Sequence, residues 1–141
     1  MNDSSGKAKS GTPPDVLAVF DDGLARYADG DASAAHARFE RAHRRAPSDT
    51  RIMSWYGLTL VLVERNSNLG ILYCDQALRL AGPDPELYLN QARAHLSLGQ
   101  RERAVKCIMR GLAAETATTH ARVTGTSIRG DVKVRRITGR S

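Results

Sequence analysis

The chain has 141 residues, of which 41% are hydrophobic, enough for one packed domain and too short for two comfortable ones. Its net charge is +6, but residues 1–14 carry Lys7 and Lys9 against Asp3, and residues 116–141 carry six Arg or Lys against Asp131. Residues 15–115 are therefore neutral overall, so the basicity belongs to a C-terminal tail and not to a folded face.

The first fourteen residues are rich in Ser, Gly, Lys and Pro and read as a disordered leader. They hold no apolar run of the signal-peptide kind. The longest apolar stretch, Gly57 to Val63, falls well short of the roughly 18 residues of a membrane span. A cytoplasmic protein without a membrane span is expected.

Pro13-Pro14 ends the leader, and Asp15 can cap or begin a helix. Val16, Val19, Phe20, Gly23, Leu24 and Tyr27 then follow helical spacing to Ala28. Asp29-Gly30-Asp31 stops that helix, with Gly30 suited to a left-handed terminal position. A second helix is predicted over about 32–45, with Ala35, Phe39 and Ala42 on one face and Pro47 beyond it. Ser48-Asp49 offers the next cap. The third helix, over 50–63, turns Met53, Tyr56, Gly57, Leu60 and Val61 inward. After the turn at 64–68 a fourth runs over 69–81 with Gly70, Ile71, Cys74, Ala77 and Leu78 inward. Gly82-Pro83-Asp84-Pro85 supplies a turn, a cap and a proline at the first helical position. The last hairpin places Tyr88, Ala92 and His95 inward on its first helix and Ala104, Ile108 and Gly111 on its second, around a Gly99-Gln100 turn. After Glu115 the pattern fades, and 116–141 read as a mostly flexible tail, with one short helical turn near 119–123 or a strand-like alternation at 131–137 as the alternatives.

These three hairpins are one unit repeated. The small residue of each first helix falls at Gly23, Gly57 and Ala92, spacings of 34 and 35. That of each second helix falls at Ala35, Gly70 and Ala104, spacings of 35 and 34. A hairpin this short cannot bury its apolar face alone and must stack on its copies. Small side chains let its two helices approach closely. The period, with Ala35-x3-Phe39 followed by Pro47, with Tyr56-Gly57, and with Ala104-x3-Ile108, resembles the tetratricopeptide repeat (TPR). Several positions depart from that family. Asp22 and Gln91 stand where Leu is usual, Val19 and Met53 where Trp is, Arg26 where Tyr is, Gly70 where Ala is, Cys74 where an aromatic is and Gly111 where Ala is. The fold expected is all-α: about six helices in antiparallel hairpins, stacked as a short right-handed TPR superhelix. Its units fall at about 15–48, 49–83 and 84–115. TPR arrays end in a polar capping helix, so here the tail or a partner chain would have to cover the last apolar face.

The resemblance implies a concave groove lined by the first helix of each unit. By position that groove carries Phe20, Leu24 and Tyr27, then Arg51, Ser54, Trp55, Leu58 and Val61, then Glu86, Leu89, Asn90, Arg93 and Leu96. Trp and Arg are frequent binding anchors. Trp55 faces either this groove or a neighbouring unit. The clamp by which some TPR domains hold a chaperone's C-terminal carboxylate needs Lys, Asn and Arg. Phe20, Leu24, Trp55, Glu86 and Asn90 stand there instead, and Glu86 would repel a carboxylate. An apolar or helical segment suits the groove better.

Catalytic signatures are missing. His36, His43, His95 and His120 form no metalloprotease or triad spacing, His95 sits at a core position, and Asp21-Asp22 reads as a solvated helix face. Cys74 and Cys107 share no zinc or disulfide spacing and read as core residues. No enzyme, cofactor or metal is expected. The function expected is a non-enzymatic adaptor or scaffold binding a protein segment. The alternative is a binder of nucleic acid or another anionic surface through Lys133, Arg135 and Arg136, a tail without aromatic residues for base stacking.

Overall fold

A computed structural model describes residues 11–124. Six helices follow one another: α1 (Pro14–Ala28), α2 (Ala32–Arg45), α3 (Thr50–Glu64), α4 (Ser67–Ala81), α5 (Pro85–Ser97) and α6 (Arg101–Thr124). There is no strand among the described residues. None of these helices is long and apolar enough to cross a membrane.

Local chemistry sets most of the boundaries. Asp31, Asp49, Asn66 and Asp84 each stand just before a helix, and each side chain accepts a hydrogen bond from a backbone N–H of the first turn. Asp49 also accepts from the Thr12 hydroxyl at 2.6 Å, which ties the segment before α1 to the start of α3. Asp15 lies in the first turn of α1 behind Pro13 and Pro14, beginning the helix without capping it. The turn after α3 is tighter than its sequence suggests. Arg65 adopts the left-handed conformation at φ 58°, and the N–H of Asn66 returns to the carbonyl of Leu60 at 3.1 Å, so α4 starts at Ser67.

The helices pair as three hairpins, α1 on α2, α3 on α4 and α5 on α6. Successive hairpins meet through α2 on α3, α3 on α5 and α4 on α5. This is a helical-repeat arrangement. At the middle hairpin the backbones nearly touch: a methyl group placed on Gly57 would lie 2.7 Å from the carbonyl oxygen of Gly70. Phe20 and Phe39, 5.5 Å apart, begin a core that continues through Ile52, Trp55, Leu58, Val61 and Cys74. Complete burial of side chains this size is worth roughly 1.5–3 kcal/mol each. Because α3 has neighbours on several sides, nine of its fifteen residues are buried.

Two expectations need correction at the C-terminal end. The helix does not end at Glu115. α6 continues to Thr124, so residues 116–124 form an exposed helical extension instead of the start of a flexible tail. Ala117 and Ala121 favour the helix, and the Thr116 and Thr118 hydroxyls bond back to the carbonyls of Leu112 and Ala114. Ile108, expected inward, is 39% exposed, because among the described residues no later helix covers it.

Candidate functional site

The first helices α1, α3 and α5 bring together the residues expected to line a groove, but at different depths. Phe20, Leu58, Val61 and Asn90 are almost wholly buried, and Trp55 is 7% exposed. These five belong to the core. Leu24, Tyr27 and Arg93 are half-buried, while Arg51 and Leu89 are exposed. A helix flanked on several sides turns toward its neighbours even the face that sequence position alone assigns to solvent.

Trp55 is the hub of this face. Its ring meets Tyr27 edge-on at 5.2 Å and lies 5.8 Å from Phe39. The Arg93 guanidinium stands over the rings of Trp55 at 5.4 Å and Tyr27 at 5.8 Å. The indole N–H donates to Glu86 Oε2 at 2.9 Å, while Glu86 Oε1 accepts from Arg51 Nε at 2.8 Å. Arg51 in turn lies over the Phe20 ring at 5.0 Å. Below this layer Arg93 donates to Asn90 Oδ1 at 2.8 Å, and Asn90 Nδ2 donates to Ser54 Oγ at 3.1 Å. The buried amide and hydroxyl are thus partnered, as burial requires.

Electrostatically the face is a matched chain of charges. Burial pushes Glu86 upward, but hydrogen bonds from Arg51 and Trp55 outweigh it and hold the carboxyl below its ordinary 4.5. The same bond to Glu86 raises Arg51. A carboxyl whose folded pKa is depressed adds stability that is present above its ordinary value and is lost as pH falls through the folded value. Trp55 is the sole tryptophan, so it reports this link directly. Stability is expected to decline and Trp55 emission to shift as pH drops below 4.5. Glu86→Gln should flatten both changes in an acid titration followed by fluorescence and circular dichroism.

The aromatic cluster between α2, α3 and α4 was not legible in the sequence. His43 stacks on Tyr56 at 4.9 Å and meets Tyr73 at 5.1 Å, while His36 also stacks on Tyr56, at 5.6 Å. His36 bonds Thr59 Oγ1 and Glu64 Oε2, both at 2.8 Å. Burial lowers the His43 pKa and raises that of Tyr56. The seven-residue spacing of the two histidines was the available signal, since it places both on one helix face. His36 packs and hydrogen-bonds here, whereas His43 packs only, its buried Nδ1 having no hydrogen-bond partner among the described residues. His95 is likewise buried and bonds Gln100 at 2.7 Å.

Elsewhere the titratable groups are structural. Arg38 bonds Asp22 at 2.6 Å and holds its carboxyl below the usual range. Burial pushes the Cys74 thiol up to about 12, so it stays protonated and unreactive at neutral pH. Cys107 is also buried and bonds Gln91. Among the described residues no group of His, Cys, Asp or Glu could hold a metal ion. Lys133, Arg135 and Arg136 lie outside the described residues.

Compared with protein-family models and with curated proteins, the chain matches none.

Proposed function

We propose that the protein is a non-enzymatic interaction module of the TPR type, an adaptor that receives a protein segment along the face formed by α1, α3 and α5. The observation that carries this reading is the row Tyr27, Trp55, Arg93 and Arg51. It presents the Tyr27 ring and two guanidinium groups already fixed by the buried Trp55 and its neighbours, so a ligand would order few side chains on binding. Leu24 and Leu89 add apolar surface beside it. The repeat period and the small residues at the hairpin crossings support the TPR assignment.

Trp55 again supplies the test. Peptides selected from a displayed library against the full-length protein are titrated while its emission is followed. Binding at this face should move the emission, and the pair Tyr27→Ser/Arg51→Ser should weaken binding by about tenfold or more. Selected peptides that leave Trp55 unperturbed and bind the double variant as tightly would reject the reading.

A further inference from the structure

The end of the stack formed by α5 and α6 keeps the residue types that the two earlier units bury under the next helix. The repeat register aligns Phe20, Ser54 and Leu89, with spacings of 34 and 35. It also aligns Phe39, Cys74 and Ile108, and then His43, Leu78 and Leu112. In the first two units these positions are buried or half-buried. In the last unit Leu89, Ile108 and Leu112 are 42%, 39% and 56% exposed. They floor a cleft of ≈ 240 Å³ with Gly111, and Glu86 and Glu115 stand at its edge.

The opposite end is built differently. The positions that face backward in the middle and last units are Ile52, Trp55 and Thr59, then Leu87, Asn90 and Ala94, all buried. Their counterparts in the first unit are Ala18, Asp21 and Ala25, all exposed. That end is closed with small and acidic residues, as an end facing water should be. The α5–α6 end is not.

Within the described residues the chain passes this cleft by. After α4 the turn at Gly82–Asp84 sends α5 back across the hairpin. The position equivalent to Ala81 in the last unit is Glu115, and there α6 runs straight on to Thr124. At 1.5 Å per residue that carries the chain about 14 Å farther along the helix axis.

We infer that the cleft between α5 and α6 is a docking site for an amphipathic helix of a partner protein, which takes the place a seventh helix would fill. The helices α3 and α5, which occupy the equivalent places inside the stack, define its pattern. A large aliphatic residue stands at i, a residue able to pack at i+3 and a small one at i+7, as in Ile52–Trp55–Thr59 and Leu87–Asn90–Ala94. Glu115, exposed at the cleft edge, selects Lys or Arg on the flank of that helix, while Glu86 is already held by Arg51 and Trp55. Glu115 disfavours a second copy placed face to face, because it would meet its own kind. The first unit of another copy offers only Ala18, Asp21 and Ala25 to the cleft.

The site adjoins the Trp55 face through Glu86 and Leu89, but its floor of Ile108, Gly111 and Leu112 lies outside that face, so variants there test this reading without touching the other. The probe is a fluorescein-labelled, side-chain-stapled helix with Leu at i and i+3, Ala at i+7 and Lys on both flanks, titrated against the full-length protein by anisotropy. It should bind about tenfold or more tighter than the same helix with Glu on its flanks. Leu112→Asp should abolish that binding without loss of helical circular dichroism, since Leu112 is mostly exposed. Glu115→Lys should erase the preference for Lys flanks. Tyr27→Ser should leave this binding unchanged. Equal binding by wild type and Leu112→Asp overturns the proposal. So does a dimer in sedimentation velocity that Leu112→Asp dissociates, which would make a second copy the occupant. A tenfold gain in probe affinity on Ile128→Ser/Val132→Ser/Val134→Ser/Ile137→Ser would overturn it too, by showing the protein's own tail in the cleft.

Discussion

Trp55→Ala is expected to cost about 3–5 kcal/mol of unfolding free energy, the range for removing a buried large aromatic side chain. The ring is 7% exposed and touches Tyr27 and Phe39, while its N–H holds Glu86. Truncation opens a cavity between α1, α3 and α5 and takes a donor from a half-buried carboxylate. Trp55→Phe separates these two effects. It keeps most of the ring contacts and loses the hydrogen bond, for a cost of about 1–3 kcal/mol. Urea unfolding followed by far-ultraviolet circular dichroism measures both, since the variants lack the fluorophore. A loss below about 1 kcal/mol in Trp55→Ala would mean that the side chain is a surface residue held only loosely by its neighbours. The large loss expected also governs binding experiments. Loss of a partner on Trp55→Ala would report unfolding as readily as a lost contact, so Tyr27 and Arg51 are the residues to change.

The second large effect lies at the helix crossings. Gly70→Ala should destabilise by about 1–3 kcal/mol even though alanine favours a helix by up to about 1 kcal/mol over glycine. A methyl there would stand 2.6 Å from the carbonyl oxygen of Gly57, which is backbone and cannot rotate away, so α3 and α4 must separate. Gly57→Ala meets the reciprocal obstruction at Gly70. Gly111→Ala is the control. Its nearest neighbour would be the Tyr88 Cβ at 3.2 Å, a contact that a shift of a few tenths of an ångström relieves. That variant should be neutral or slightly stabilised. Thermal melts of the three proteins side by side decide the matter, and equal melting temperatures for Gly70→Ala and Gly111→Ala would remove the close crossing as the reason for glycine at position 70.

Both experiments probe what the repeat period already implied. The small residues at 23, 57 and 92 and at 35, 70 and 104 identified where hairpin helices meet, because only small side chains allow that approach. Asp49 and Asp84 located two helix starts, because capping depends on a side chain and a backbone N–H three residues away at most; Asp31 and Asn66 cap in the same way but stood in segments read only as turns. Pro47, Gly82 and Gly99 marked interruptions for equally local reasons. The all-helical fold and the order of its six helices therefore followed from the sequence by itself.

Depth was a different matter. Phe20, Trp55, Leu58, Val61 and Asn90 sit on the helices expected to line a groove, yet they lie in the core: α3 is enclosed by α2, α4 and α5, Phe20 of α1 packs on Phe39, and Asn90 of α5 reaches Ser54. Ile108 repeats the position of Phe39 and Cys74 but is exposed, because among the described residues no further hairpin follows it in the stack. A residue's type and spacing reveal which face of a helix it occupies. Whether that face meets another helix or water depends on neighbours far away in the chain, and only the packed structure decides that. The same limit hid the ring stack of His36, His43, Tyr56 and Tyr73, drawn from three helices, and the link from Arg51 through Glu86 to Trp55, which spans 35 residues of sequence.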